Sequence, residues 1–265
     1  MRFSDLLDAV RSHPQALSIP AEWGQGRASF GGLVAALQYE VMRAKVPADR
    51  PVRSLAITFV GPVEPEVPVS FEVEVLREGK AVSQVLGRVM QKGQVVTLVQ
   101  GSFGASRPSE VAVAAQSAPQ MKHWDDCEEL PYIKGVTPEF MRNLAMRWSI
   151  GGLPFTGNKS RDMGGWVRLR GEVKEEALSE AYILALVDAW PPALLPHLNK
   201  PAPGSTLTWT IEFVQPLRTL SALDWFKYRV EIEHAAQGYG HAAAQLWSSD
   251  GHLIAMSRQT VTIFA

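Results

Sequence analysis

Leu55-Ala-Ile-Thr-Phe59-Val-Gly-Pro62 and Leu207-Thr-Trp-Thr-Ile-Glu-Phe213-Val-Gln-Pro216 are two versions of one pattern. Each is a strand of alternating apolar residues that runs into a proline, which removes a ladder donor and ends regular pairing. A second alternating segment follows each of them, Val69-Ser-Phe71-Glu-Val73-Glu-Val75-Leu76 in one half and Phe226-Lys-Tyr228-Arg-Val230-Glu-Ile232 in the other. Phe59 and Phe213 are 154 positions apart, as are Pro62 and Pro216, and the offset is 155 for Phe71 and Phe226. A nearly constant offset over several elements marks an internal duplication.

Working outward, each copy closes with a hairpin. Val82–Met90, the turn Gln91-Lys-Gly93 and Val95–Phe103 correspond to His241–Trp247, the turn Ser249-Asp250-Gly251 and Leu253–Ile263. Lys-Gly and Asp-Gly supply the positive φ that tight hairpin turns need. A helical stretch precedes each set of strands, Gly31–Met42 in the first copy and Glu180–Trp190 in the second. The run Ala181–Val187 is apolar on every side, so its helix must be buried all round, as a helix wrapped by a curved sheet would be. Two further strands are expected at Arg142–Trp148 and Gly165–Arg170, with the Gly- and Pro-rich 151–164 segment as a loop between them. Ser, Pro, Ala and Gln dominate from Ser106 to Gln120, and acidic residues follow at Asp125, Asp126, Glu128 and Glu129. The expected organisation is therefore an α+β chain of two tandem units, 1–105 and 131–265, joined by a linker at 106–130.

With 46% hydrophobic and 20% charged residues, the 265-residue chain has the composition of a globular protein with a large core. Lys and Arg number 26 against 27 Asp and Glu, so no basic field exists to hold a nucleic acid. Cys127 is the only cysteine, which excludes an intramolecular disulfide and a thiolate metal cluster and points to a reducing compartment. The N-terminal MRFSDLLDAVRSH carries charges at Asp5, Asp8 and Arg11 and lacks the apolar core of a signal peptide. No window approaches the roughly 20 apolar residues of a spanning helix, so a cytoplasmic protein without membrane contact is expected.

Several motif-like segments carry no chemistry. Gly152-Leu-Pro-Phe-Thr-Gly157-Asn158-Lys159-Ser160 resembles a phosphate loop with one residue too many, and no apolar helix follows it. Gly238-Tyr-Gly240-His-Ala-Ala243 is followed by a short strand-like segment, which suits a hairpin turn better than a dinucleotide site. No Gly-x-Ser-x-Gly elbow occurs, and His13, His123, His197, His234, His241 and His252 form no i,i+4 pair for zinc. Acidic neighbours blunt Cys127 as a nucleophile. Arg168 and Arg170 alternate with apolar residues as on a solvated strand face.

The duplicated helix-and-sheet unit resembles a double hotdog, and its motifs resemble the acyl-CoA thioesterase II family over nearly the whole chain. The resemblance is carried by Gly26-Arg-Ala-Ser-Phe30-Gly31-Gly32-Leu-Val, by Arg53-Ser-Leu-Ala-Ile-Thr-Phe59-Val-Gly-Pro62 and by Trp166-Val-Arg-Leu-Arg-Gly-Glu172. It implies a hydrolase of acyl-CoA thioesters in fatty acid metabolism, with acyl-CoA as its ligand, no cofactor or metal, and a homodimer as the assembly. It also implies that Asp188, Thr206 and Gln259 are the catalytic residues. Where the family has a histidine-rich strand after the threonine, this chain has Trp209-Thr-Ile-Glu212-Phe213, which keeps Ser205 and Thr208 as alternatives to Thr206.

The residues themselves support such a site. A carboxylate that ends the apolar run Ile183–Val187 is desolvated, and Pro191-Pro192 break the helix just beyond it. Desolvation and the negative end of a helix dipole raise a carboxyl pKa toward the range of a general base, so Asp188 would activate water. Thr206 and Gln259 can only hydrogen-bond, and would orient that water. Gly31 and Gly32 open the first helix without side chains, either as oxyanion donors or as sites of close helix packing. In the first copy the helix position matching Asp188 is Tyr39, with Glu40 beside it, so one centre per chain is expected. Arg27, Lys92 and Arg258 lie near these motifs as solvated surface cations. A hydratase acting on enoyl-CoA would need an Asp-x-Asn-x-x-His segment that is absent, and a non-hydrolysing acyl-CoA or lipid-binding protein is the alternative from another class.

Overall fold

The computed structural model describes residues 1–171 and 176–265. Glu172, the last residue of the motif that begins at Trp166, lies outside the described residues. Among the described residues, three α-helices, α1 (Phe3–Ser12), α2 (Gly31–Arg43) and α3 (Glu180–Asp188), accompany one ten-stranded antiparallel sheet. Its strands are β1 (Val52–Phe59), β2 (Val69–Glu78), β3 (Val82–Gln91), β4 (Gln94–Gly104), β5 (Leu144–Ile150), β6 (Asp162–Leu169), β7 (Gly204–Phe213), β8 (Phe226–Ala236), β9 (Tyr239–Ser248) and β10 (Leu253–Ile263). The spatial order is β2-β3-β4-β1-β7-β10-β9-β8-β6-β5.

This order shows the duplication directly. The first four strands and the last six form separate antiparallel groups that meet along one seam, where β1 pairs with β7 through Leu55↔Ile211, Ile57↔Trp209 and Thr58↔Thr208. The two helices lie in the concavity. Residues Gly32–Met42 of α2 and Ala181–Val187 of α3 are all buried, as an all-round apolar helix requires. They run antiparallel, so the start of α2 faces the end of α3. No helix among the described residues is long and apolar enough to cross a membrane.

Most boundaries follow the sequence pattern, and the departures have physical causes. Helix α3 stops at Asp188, two residues before the expected end, because Pro191 and Pro192 cannot continue it. The loop between β5 and β6 is shorter than the expected 151–164. Strand β6 begins at Asp162 because Gly164 and Gly165 let neighbouring strands approach: a methyl group at either would lie 2.2 Å from the Tyr228 carbonyl oxygen or 2.0 Å from that of Arg147. Gln237 and Gly238, at φ 53° and 80°, make the β8–β9 turn, the role expected for that glycine-rich segment. Helix α1 was not foreseen. It buries Phe3, Leu6, Leu7 and Val10, and the Phe3 ring packs 5.0 Å from that of Tyr182 in α3. The inter-unit segment has no regular structure over 105–123, yet the Trp166 indole donates to the Lys122 carbonyl at 2.9 Å and Trp124 stacks on Trp225. Cys127 is buried in that small cluster. Arg168 is not simply solvated, since its guanidinium lies 4.5 Å over the Trp225 ring.

Candidate active site

Asp188 is the last residue of α3, where the helix meets the start of α2. The Gln259 amide donates to Asp188 Oδ1 at 2.9 Å, and the backbone N–H of Gly32 also donates to the carboxylate. The residue is partly buried. Desolvation pushes its pKa up to about 7, with the Gln259 and Gly32 hydrogen bonds pulling the other way. A carboxyl that titrates near neutrality can take a proton at working pH.

The glycines at the start of α2 are required by this approach. A methyl group at Gly31 would lie 2.9 Å from Asp188 Oδ2 and 3.1 Å from Phe59 Cζ. At Gly32 it would lie 2.7 Å from Phe30 Cζ and 2.9 Å from Asp188 Cβ. The Gly32 amide is engaged by the carboxylate, while the Gly31 amide lies at the first position of the helix, where N–H groups have no intrahelical partner, and the N-cap makes no side-chain bond among the described residues.

Strand register places the hydroxyl candidates. Directly opposed residues point to the same face of a sheet. Gln259 opposes Trp209 and Val261 opposes Thr206, with Leu207 as the extra residue of a bulge, and both Trp209 and Val261 are buried. Thr206 and Gln259 therefore share the concave face with Asp188. Thr208 and Ser205 oppose Thr260 and Thr262 on the other face and are exposed. Among the described residues, Gln259 and not Thr206 bonds the carboxylate side chain directly. Arg27 is exposed at the tip of the hairpin that precedes α2, Lys92 pairs with Glu64 at 2.6 Å, and Arg258 pairs with Glu233.

The family model of the acyl-CoA thioesterase N-terminal domain matches residues 19–104, and that of the C-terminal domain matches residues 124–263. The chain belongs to the acyl-CoA thioesterase family. It is thus a thioester hydrolase with a double hotdog fold. Acyl-CoA thioesterase 2 of Haemophilus influenzae is 26% identical over 88% of this chain and 86% of its own length. Acyl-coenzyme A thioesterase 8 of Homo sapiens is 25% identical over 87% of this chain and 79% of its own. Among solved structures, a hotdog-fold protein of unknown function from Alicyclobacillus acidocaldarius superposes with a TM-score of 0.80 at 23% identity, covering 94% of this chain and 92% of that one.

Two residues of this thioesterase join the site without a sequence signal. Tyr228, on β8, is buried and stacks face to face on Trp190 at 4.9 Å, just past the end of α3. Burial and the nearby Asp188 charge hold its phenol pKa well above the ordinary value, so it stays protonated. In the sequence Phe59 marks the repeat and the family motif, not the site, and its ring borders the same point over Gly31 as Asp188 Oδ2. At the opposite end of the helix pair, the Tyr39 hydroxyl donates to Glu180 at 3.0 Å and Glu40 is held by Arg11 at 2.8 Å, so both expected counterparts of Asp188 are engaged.

Proposed function

We propose that this thioesterase hydrolyses acyl-CoA thioesters with water activated by Asp188. The observation that carries the mechanism is the enclosed carboxylate, with its pKa near 7, held between the Gln259 amide and the start of α2. Gln259 engages Oδ1, the Gly32 N–H holds the carboxylate as well, and the carboxylate accepts the water proton. The water oxygen attacks the thioester carbonyl carbon and the carbonyl π electrons move onto its oxygen. Collapse of this tetrahedral species breaks the C–S bond and releases the fatty acid and coenzyme A, whose thiolate takes the proton held by Asp188, returning the base to its starting state. The Thr206 hydroxyl, on the same face, orients the water. The Gly31 amide, at the positive end of the α2 dipole, stabilises the oxyanion, while Gly32 positions the base.

Release of free thiol from a series of acyl-CoAs tests this. Turnover by the parent protein that is lost in Asp188→Asn, with the fold retained, is the expected result. Tight acyl-CoA binding without thiol release would instead mark a binding protein.

A further inference from the structure

The strand β1 carries an inward row, Leu55, Ile57 and Phe59, of which the first two are buried and the third is half-buried. The Phe59 ring stands beside Asp188 Oδ2 over the bare Cα of Gly31. Its backbone is pinned from behind, because the next two amides, Val60 and Gly61, both donate to the Val96 carbonyl at 3.0 Å. The seam brings it close to the catalytic strand as well. Thr58 opposes Thr208, so Phe59 lies alongside the Thr206–Leu207 bulge.

The duplication provides an internal reference for this position. Phe59 opposes Thr97 just as Phe213 opposes Ala255, so the two phenylalanines occupy matched places in the two units. Phe213 is buried at 6% exposure and serves only the core, whereas Phe59 is left partly open where Asp188 sits. A partly open aromatic ring on the concave side suits the acyl carbons of a thioester, whose polar coenzyme A portion is better placed in water.

We infer that Phe59, contributed by the N-terminal unit, is a specificity-determining residue that walls the acyl group beside the Asp188 centre of the C-terminal unit. The inference rests on the hydrolase reaction above. Its consequence is that the size of this side chain sets which acyl chains are turned over fastest. One methylene more or less against an apolar wall changes discrimination by about 10- to 200-fold.

The test compares kcat/KM for decanoyl-CoA and butyryl-CoA in the parent, Phe59→Ala, Phe59→Leu, Phe59→Trp and Phe213→Leu. The ratio of long to short is expected to rise about tenfold in Phe59→Ala, to rise less in Phe59→Leu, and to fall about as much in Phe59→Trp. Phe213→Leu should leave it within about twofold. A ratio that stays within about twofold in every folded Phe59 variant, or that moves equally in Phe213→Leu, overturns the inference while leaving the hydrolase mechanism standing. A parent protein that releases no thiol from either substrate overturns both. Should Phe59→Ala fail to fold, the Leu and Trp variants decide the question.

Discussion

The two ends of the helix pair share one backbone arrangement and differ in three side chains. Strand register makes the correspondence explicit. Gln259 opposes Trp209 where Gly101 opposes Leu55, and Thr206 opposes Val261 where Val52 opposes Phe103. Asp188 meets the start of α2, while Tyr39 reaches the start of α3 through Glu180. At the N-terminal unit's end, the acid, the amide and the hydroxyl are thus replaced by Tyr39, Gly101 and Val52. The space the amide would use is filled: a methyl group at Gly101 would lie 2.8 Å from Met42 and Phe103 and 3.1 Å from Leu55. The fold therefore presents the same backbone positions twice, and an acid, an amide and a hydroxyl stand together at one of them.

The comparison can be broken most decisively at its acid. Asp188→Asn should lower thiol release by about a thousandfold, the scale of a lost general base. It should also change how stability depends on pH. The folded pKa of about 7 lies above the ordinary 3.8, so folding stability from this group is present in full below the unfolded value and is lost as pH rises through 7. The loss is on the order of 4 kcal/mol for such a shift. Asn has no proton to lose, so urea unfolding should show the variant more stable than the parent at pH 8 and flatter between pH 4 and 8. A variant that is destabilised at pH 8 would contradict the desolvated carboxylate.

Removing the amide is the next largest effect. Gln259→Leu takes away a donor that favours the charged carboxylate, so the rising limb of the kcat/KM profile, expected near pH 7 in the parent, should move to higher pH. Activity at pH 7 should fall about tenfold or more, and a pH–rate profile of both proteins decides. A smaller test probes the register. Thr206→Val should slow turnover by about tenfold, a typical worth for one hydrogen bond, whereas Thr208→Val, on the opposite face, should leave it unchanged. Equal effects of the two substitutions on steady-state kinetics would place the bulge elsewhere. The smallest effect is expected at the opposite end of the helix pair. Tyr39→Phe removes the hydroxyl bond to Glu180 and should cost about 1 kcal/mol of stability with thiol release unaltered.

Much of the architecture was readable from the repeat because period-two alternation, turn glycines and an all-apolar helix are local signals. The offset between the Phe59 and Phe213 strands carries the duplication without any knowledge of contacts. Asp188 was readable for a similar reason, as a charge closing an apolar helix before two prolines. What escaped was whatever depends on juxtaposition. Helix α1 is short, and its apolar face has meaning only against Tyr182 and Trp23. Tyr228 looks like any inward strand residue until Trp190 is seen stacked upon it. The glycine pair was ambiguous in sequence, and only the approach of Asp188 assigns the Gly32 amide to the carboxylate.

The order of residues alone therefore determined two helix-and-sheet units, an acid closing the apolar helix before Pro191 and the absence of a disulfide. Tertiary structure decided which hydroxyl shares a face with that acid and which unit lends its helix start to the other. The physical reason is that alternation and helix periodicity are written within a single segment. A bulge at Leu207, the β1–β7 seam and the raised proton affinity of Asp188 arise only when distant segments exclude water from one another.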